Sequence, residues 1–78
     1  MQATVYLEDQ AYIPLCDLLK LAGLTDSGGQ AKAAIAEGLV RRNGEVETRK
    51  TAKIRAGESI EFNGAHLEIV AGYDNHDD

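Results

Sequence analysis

Residues 27–53 read SGGQAKAAIAEGLVRRNGEVETRKTAK, and this stretch decides the fold. Ser27 is a good helix N-cap, and Gln30 three residues later completes a capping box. A helix is expected from about Gly28 to Glu37, with Ala31, Ala34 and Ile35 as a narrow apolar stripe. Gly38 stops it, and Leu39 is expected to fold back on the last turn. Val40–Arg42 reads as a short strand, and Glu45–Glu47 as its return. Between them Asn43-Gly44 is a hairpin turn, because both residues tolerate φ > 0. A two-residue loop sets Val40 opposite Glu47 and Arg41 opposite Val46, so neither face of this hairpin is uniformly apolar. Residues 48–53, TRKTAK, have no apolar period and read as a basic loop.

Upstream, Ala3–Leu7 is β-branched and aromatic and reads as a first strand, followed by a polar turn at residues 8–11. Pro14 is expected at the first position of a helix, where its missing N–H would be unpaired anyway. Leu15, Leu18, Leu19 and Ala22 fall on one face at helical spacing, Asp17 and Lys20 suit the helix dipole, and Gly23 supplies the stop. Downstream, Ile54 leads into a turn at residues 56–58. Ser59–Phe62, Asn63-Gly64 and Ala65–Val70 then form a second hairpin. Its register pairs Phe62 with Ala65 and Ile60 with Leu67, leaving Ser59, Glu61, His66 and Glu68 on a solvated face. The expected architecture is α+β in the order β-α-α-β-β-β-β, with two helices packed on one face of a small, mostly antiparallel sheet. One domain over residues 1–72 and an acidic tail over residues 73–78 account for the chain.

The charge is segregated. Lys20 to Arg55 holds all eight Lys and Arg with four acids, a balance of +4, while the remainder holds nine acids and no base, a balance of −9. A net charge of −5 argues against a non-specific nucleic-acid coat, and a contiguous basic block argues for one positive face presented to an anion. The single Cys16 excludes an internal disulfide framework. No apolar run approaches the roughly 20 residues that span a bilayer, and the N-terminus lacks the pattern of a secretory signal. A cytoplasmic, membrane-free setting is the expectation.

Three features of the basic block could meet an anion. Gly28 and Gly29 leave the backbone N–H groups of the second helix open to a phosphate, although two glycines could equally serve a tight helix–helix corner. Lys32 lies one turn on and off the apolar stripe. Arg41, Arg42, Arg49, Lys50, Lys53 and Arg55 place six cations within fifteen residues, around the Asn43-Gly44 turn. The aromatics Tyr6, Tyr12, Phe62 and Tyr73 all lie outside this block, which favours recognition of helical RNA by shape and phosphate over stacking on single strands. Two histidines and one cysteine show no metal-ligand spacing, and the acidic tail around His76 reads as a solvated segment. No catalytic constellation, phosphate loop or cofactor motif is present, so no enzyme activity and no cofactor are expected.

The run Leu18-Leu19-x-x-x-Gly23-Leu24-x-x-Ser27, then Ala31-Lys32-x-x-Ile35-x-x-Gly38-x-Val40-x-x-Asn43-Gly44, then Lys53-Ile54-x-x-Gly57-Glu58-x-Ile60, resembles the S4-type RNA-binding domain. CDLLKLAG, SGGQAKAAIAEG and ETRK resemble, more narrowly, the small stand-alone bacterial YbcJ-like proteins. The resemblance implies an αL-type module acting on structured RNA, ribosomal or transfer, with a ribosome as a partner. By position it places Lys32, Arg41, Asn43 and Gly44 toward the RNA. Arg49 and Lys50 match only the narrower family. Departures are Gly28, where the pattern has Arg after the capping Ser, Arg42 in place of Val before the turn, and Val46 one place early. The competing expectation is a protein-interaction module whose basic face binds an acidic partner protein. In either case a monomer is expected.

Overall fold

Two Asn-Gly pairs fold the sheet. Asn43 and Gly44 adopt φ of 53° and 87°, and Asn63 and Gly64 adopt 52° and 81°. Positive φ at both central residues gives a turn whose twist matches that of the flanking strands. The computed structural model describes residues 1–73, so the expected acidic tail lies, from residue 74 on, outside the described residues.

The elements are β1 (Gln2–Tyr6), β2 (Ile13–Pro14), α1 (Leu15–Leu21), α2 (Gly28–Ala36), β3 (Val40–Arg42), β4 (Glu45–Val46), β5 (Lys53–Ile54), β6 (Ser59–Phe62) and β7 (Ala65–Val70). Five of the strands form one sheet in the order β1-β7-β6-β3-β4, and β2 pairs with β5 in a separate two-stranded ribbon. Every pairing is antiparallel except β1 on β7, which is parallel. The α+β reading with two helices on a mostly antiparallel sheet therefore holds. So do both hairpin registers, with Arg41 opposite Val46 and Ile60 opposite Leu67.

One sheet face carries Val40, Ile60, Leu67 and Ile69, all fully buried, with Ala3 and Val5 of the parallel strand packed beside them. Leu15, Leu18 and Leu19 of α1 and Ala31 and Ile35 of α2 close over that face and complete a single core. Both helices end in the same way. The N–H of Gly23 reaches the Lys20 carbonyl and that of Leu24 reaches Leu19, while Gly38 reaches Ile35 and Leu39 reaches Ala34. This pair of hydrogen bonds around a left-handed glycine satisfies carbonyls that the helix end leaves orphaned.

Four local expectations need correction. Pro14 is not the first helical residue but the N-cap of α1, extended at ψ 140°, because Pro14 and Ile13 are drawn into pairing with Lys53 and Ile54. Its imide ring offers no cap, so the N–H groups of Leu15 and Cys16 donate instead to the carbonyls of Ala52 (2.9 Å) and Lys50 (3.0 Å). Residues 48–53 are thus not a plain surface loop, since their carbonyls cap a helix and Ala52 is buried in the core. In the capping box of α2, Ser27 Oγ accepts from the Gln30 N–H as expected, but Gln30 Oε1 accepts from Asp26 N–H, one residue before the cap. Leu39 folds back on the last turn through its backbone alone, its N–H on the Ala34 carbonyl, while the residue stays 57% exposed.

Arg42 lies on the core side of β3 at the sheet margin. Its Nε and Nη2 donate to the two carboxylate oxygens of Glu58 at 2.7 and 3.0 Å, Nη1 to Glu47 at 3.2 Å and Nη2 also to the Lys53 carbonyl at 3.0 Å. A bidentate, charge-assisted contact of this kind is among the stronger hydrogen bonds a protein makes. Arg42→Met should lower unfolding stability by about 2 kcal/mol, because two partly or fully buried carboxylates each lose one charged partner at once. Arg41→Met should stay within about 0.5 kcal/mol. Urea unfolding of the two variants checks the contrast.

Candidate nucleic-acid interface

The ribbon of β2 and β5 brings the N-terminal segment against the basic loop. Beside it lies a cleft of about 450 Å³ lined by Arg42, Arg49, Thr51, Ala52, Lys53 and Arg55. Four of the six cations expected around the Asn43-Gly44 turn thus share one concavity. Lys50 is exposed on the same loop.

The cations differ in how much charge they have to offer. Arg42 and Arg49 face Glu47 and Glu58, two cations against two acids. Arg49 Nε and Nη2 donate to the two oxygens of Glu47 at 3.0 and 3.1 Å, and its backbone N–H adds a third bond at 3.0 Å. These bonds, from Arg49 first and Arg42 second, hold the buried Glu47 carboxyl down at about 2 against the opposing cost of burial. Glu58 is likewise lowered to about 2, chiefly by Arg42, with the Arg55 N–H and the Asn43 amide assisting. Among the described residues, Lys50, Lys53 and Arg55 make no ion pair. They supply the uncompensated charge, and Arg49 remains 73% exposed at its side chain while engaged with Glu47.

The other expected residues lie elsewhere. Arg41 alternates with Arg42 along β3 and so stands on the opposite sheet face, across from Glu61, with its Nη1 on the Gly44 carbonyl. Asn43 is spent internally: Nδ2 donates to Glu58 and Oδ1 accepts from the Ser59 N–H. Gly44 shapes the turn. Lys32 is exposed on α2 beside the buried stripe. Gly28 and Gly29 open α2, and a side chain at Gly28 would meet nothing within 4 Å, so crowding between the helices does not require glycine there. None of Gly28, Gly29 and Lys32 lines the cleft.

Sequence reading missed three contributors. Glu47 and Glu58, read only as parts of a return strand and a turn, fix the geometry of Arg42 and Arg49. Tyr12 lies far from the basic block in sequence, but its ring sits 5.2 Å from Lys53 Nζ and 6.0 Å from Arg55 Cζ. The only sequence signal for that placement is the apolar Ile13 and Ile54, and two-residue strands carry no readable period. Among the described residues no group of three metal-ligating side chains occurs, and no described helix is long and apolar enough to cross a membrane. The expected solvated segment around His76 lies outside the described residues.

Residues 5–70 match the S4 domain family. The chain belongs to the S4 domain family. This S4 chain is 52% identical to YbcJ of Escherichia coli (strain K12) over 69 residues, spanning 88% of the chain and 99% of that protein. YbcJ of Shigella flexneri matches at the same identity and coverage. The solution structure of E. coli YbcJ, described as revealing an αL motif involved in RNA binding, superposes with a TM-score of 0.69 at 51% identity, over 87% of this chain and 86% of that one.

The acid–base network of the S4 chain sets its response to acid. Both carboxyls ionise at about 2 when folded against an ordinary value of 4.5. A folded-state pKa below the unfolded one contributes stability that is complete above the unfolded value and is lost as pH falls toward the folded one. The melting temperature should therefore drop between pH 4.5 and about 2. Glu47→Gln combined with Glu58→Gln should be less stable at neutral pH and should show a flatter profile across that window.

Proposed function

We propose that this S4 chain is an RNA-binding protein that takes structured RNA, ribosomal or transfer, through the basic cleft. The observation that carries the reading is the gathering of Arg49, Lys53 and Arg55 at one concavity, with Lys50 beside it, on a chain of net charge −5. Phosphates attract such a cluster whatever the base sequence. The acidic remainder disfavours misplaced contacts. Membership of the S4 family and the αL description of E. coli YbcJ support RNA over other polyanions. The unit is a binding module without catalysis or cofactor, contained in residues 1–72. It acts as a cytoplasmic monomer in association with the ribosome.

In this reading Lys50, Lys53, Arg55 and the exposed Arg49 contact phosphate. Arg42, Asn43 and Gly44 hold the surface in shape, and Arg41, Lys32 and the open helix end at Gly28 and Gly29 form outer contacts for a larger RNA. About four phosphate contacts give a log–log dependence of affinity on salt with a slope between about −3 and −4.

A titration against transfer RNA and ribosomal RNA fragments at two salt concentrations, with duplex DNA as control, tests the proposal. RNA-selective binding with that slope is expected. Lys50→Glu with Lys53→Glu should weaken it by at least about tenfold while leaving the melting temperature near native. Absence of RNA binding at low salt would leave an acidic protein as the partner of the basic face. Gly28→Arg, which restores the side chain found in the wider pattern and has open space to occupy, should tighten RNA binding by a few fold. No gain would place the start of α2 away from the RNA.

A further inference from the structure

We propose that Tyr12 is a stacking site for one unpaired RNA nucleobase at the rim of the basic cleft. The inference rests on the RNA reading above and adds the kind of RNA recognised: a helix interrupted or ended by an unpaired nucleotide. Tyr12 is 37% exposed, whereas its neighbour Ile13 is 8% exposed and belongs to the core. The ring is thus turned out of the interior although the backbone beside it is anchored. That anchor is specific, because Ile13 pairs with Ile54 and Pro14 with Lys53. The same pairing carries Lys53 and Arg55 to the ring, at 5.2 and 6.0 Å from its centroid.

A nucleotide offers a flat base joined to a phosphate, and this corner offers a flat ring beside two cations that also line the cleft. Base–aromatic stacking tolerates any base, since each has a π-face. A tyrosine has only two side-chain torsions, so covering it costs little conformational freedom. Lys53 carries its charge on a flexible stem, so its ammonium can move from the ring to the phosphate as the base arrives. No other described aromatic has these surroundings. Tyr73 donates its hydroxyl to Asp9 near Glu8, an acidic setting that repels phosphate. Tyr6 and Phe62 are half-buried on the sheet. A continuous A-form helix keeps its base faces stacked and offers none to Tyr12.

Two RNA duplexes test this: a blunt duplex of about 16 base pairs, and the same duplex with one central unpaired adenosine. Both are titrated at low and moderate salt against the wild-type chain, Tyr12→Leu and Tyr12→Phe. The wild-type chain should bind the interrupted duplex about tenfold more tightly. Tyr12→Leu should erase that preference while binding the blunt duplex as before, and Tyr12→Phe should keep it, which separates stacking from a folding defect. Equal, salt-sensitive binding of both duplexes by the wild-type chain overturns the stacking site and leaves the RNA reading standing. A preference that survives in Tyr12→Leu also overturns it. If neither duplex nor any RNA binds at low salt, the RNA reading fails and the stacking site fails with it.

Discussion

The guanidinium of Arg42 ties together, at the margin of the core, three segments of the chain that meet beside the end of β3. It spans from β3 to Glu47 after β4, to the carbonyl of Lys53 in β5, and to Glu58 before β6. The β3–β4 hairpin needs such a tie. Its residues Glu45 and Val46 are exposed, so the return strand has little apolar burial to hold it in place. Each carboxylate that grips Arg42 then serves a second purpose. Glu47 accepts from Arg49, and Glu58 accepts from the Arg55 N–H and the Asn43 amide. The network is well satisfied, which is the condition under which partly buried charges support a fold rather than weaken it.

Where a local rule is strong, the chain could be read directly. Asn-Gly turns, glycine helix stops and the Ser27 cap are chemical signals confined to a few residues, and each sits where those residues place it. The α2 stripe of Ala31, Ala34 and Ile35 and, in the α1 stripe, Leu15, Leu18 and Leu19 are buried as their spacing requires, while Ala22 at the end of α1 is only partly buried. Long-range facts were not readable. The parallel pairing of β1 with β7 depends on where the two ends of the chain meet, and nothing in Ala3–Leu7 encodes its partner. The β2–β5 ribbon is too short to have a period. That miss had a consequence at the site. Without the ribbon, Pro14 looked like a helix residue and Tyr12 looked remote from the cations it adjoins.

The charge count was legible, but the division of labour within it was not. Arg41 and Arg42 are neighbours in sequence with identical chemistry, yet the period of two along β3 sends one to each face. Arg42 becomes a structural tie and Arg41 an outer-face residue opposite Glu61. Arg42 before the turn is thus a cross-link rather than a loose charge, and Glu47 and Glu58 are its counterparts.

The loop from residue 48 to 55 joins the fold to the candidate interface. Its carbonyls are committed inward: Lys50 and Ala52 cap α1, and Lys53 accepts from Arg42. Its long side chains are left outward, with Lys50, Lys53 and Arg55 exposed. A basic surface is commonly carried by a mobile segment that must be ordered when it binds, at a cost in entropy. Here the backbone under the cations is held by the same hydrogen bonds that start a helix and tie the hairpin. Only side-chain rotamers remain free there, so the cationic surface is largely preorganised. The arrangement also explains why an acidic chain can hold a local positive field, since the carboxylates closest to the cleft are those already engaged with Arg42 and Arg49.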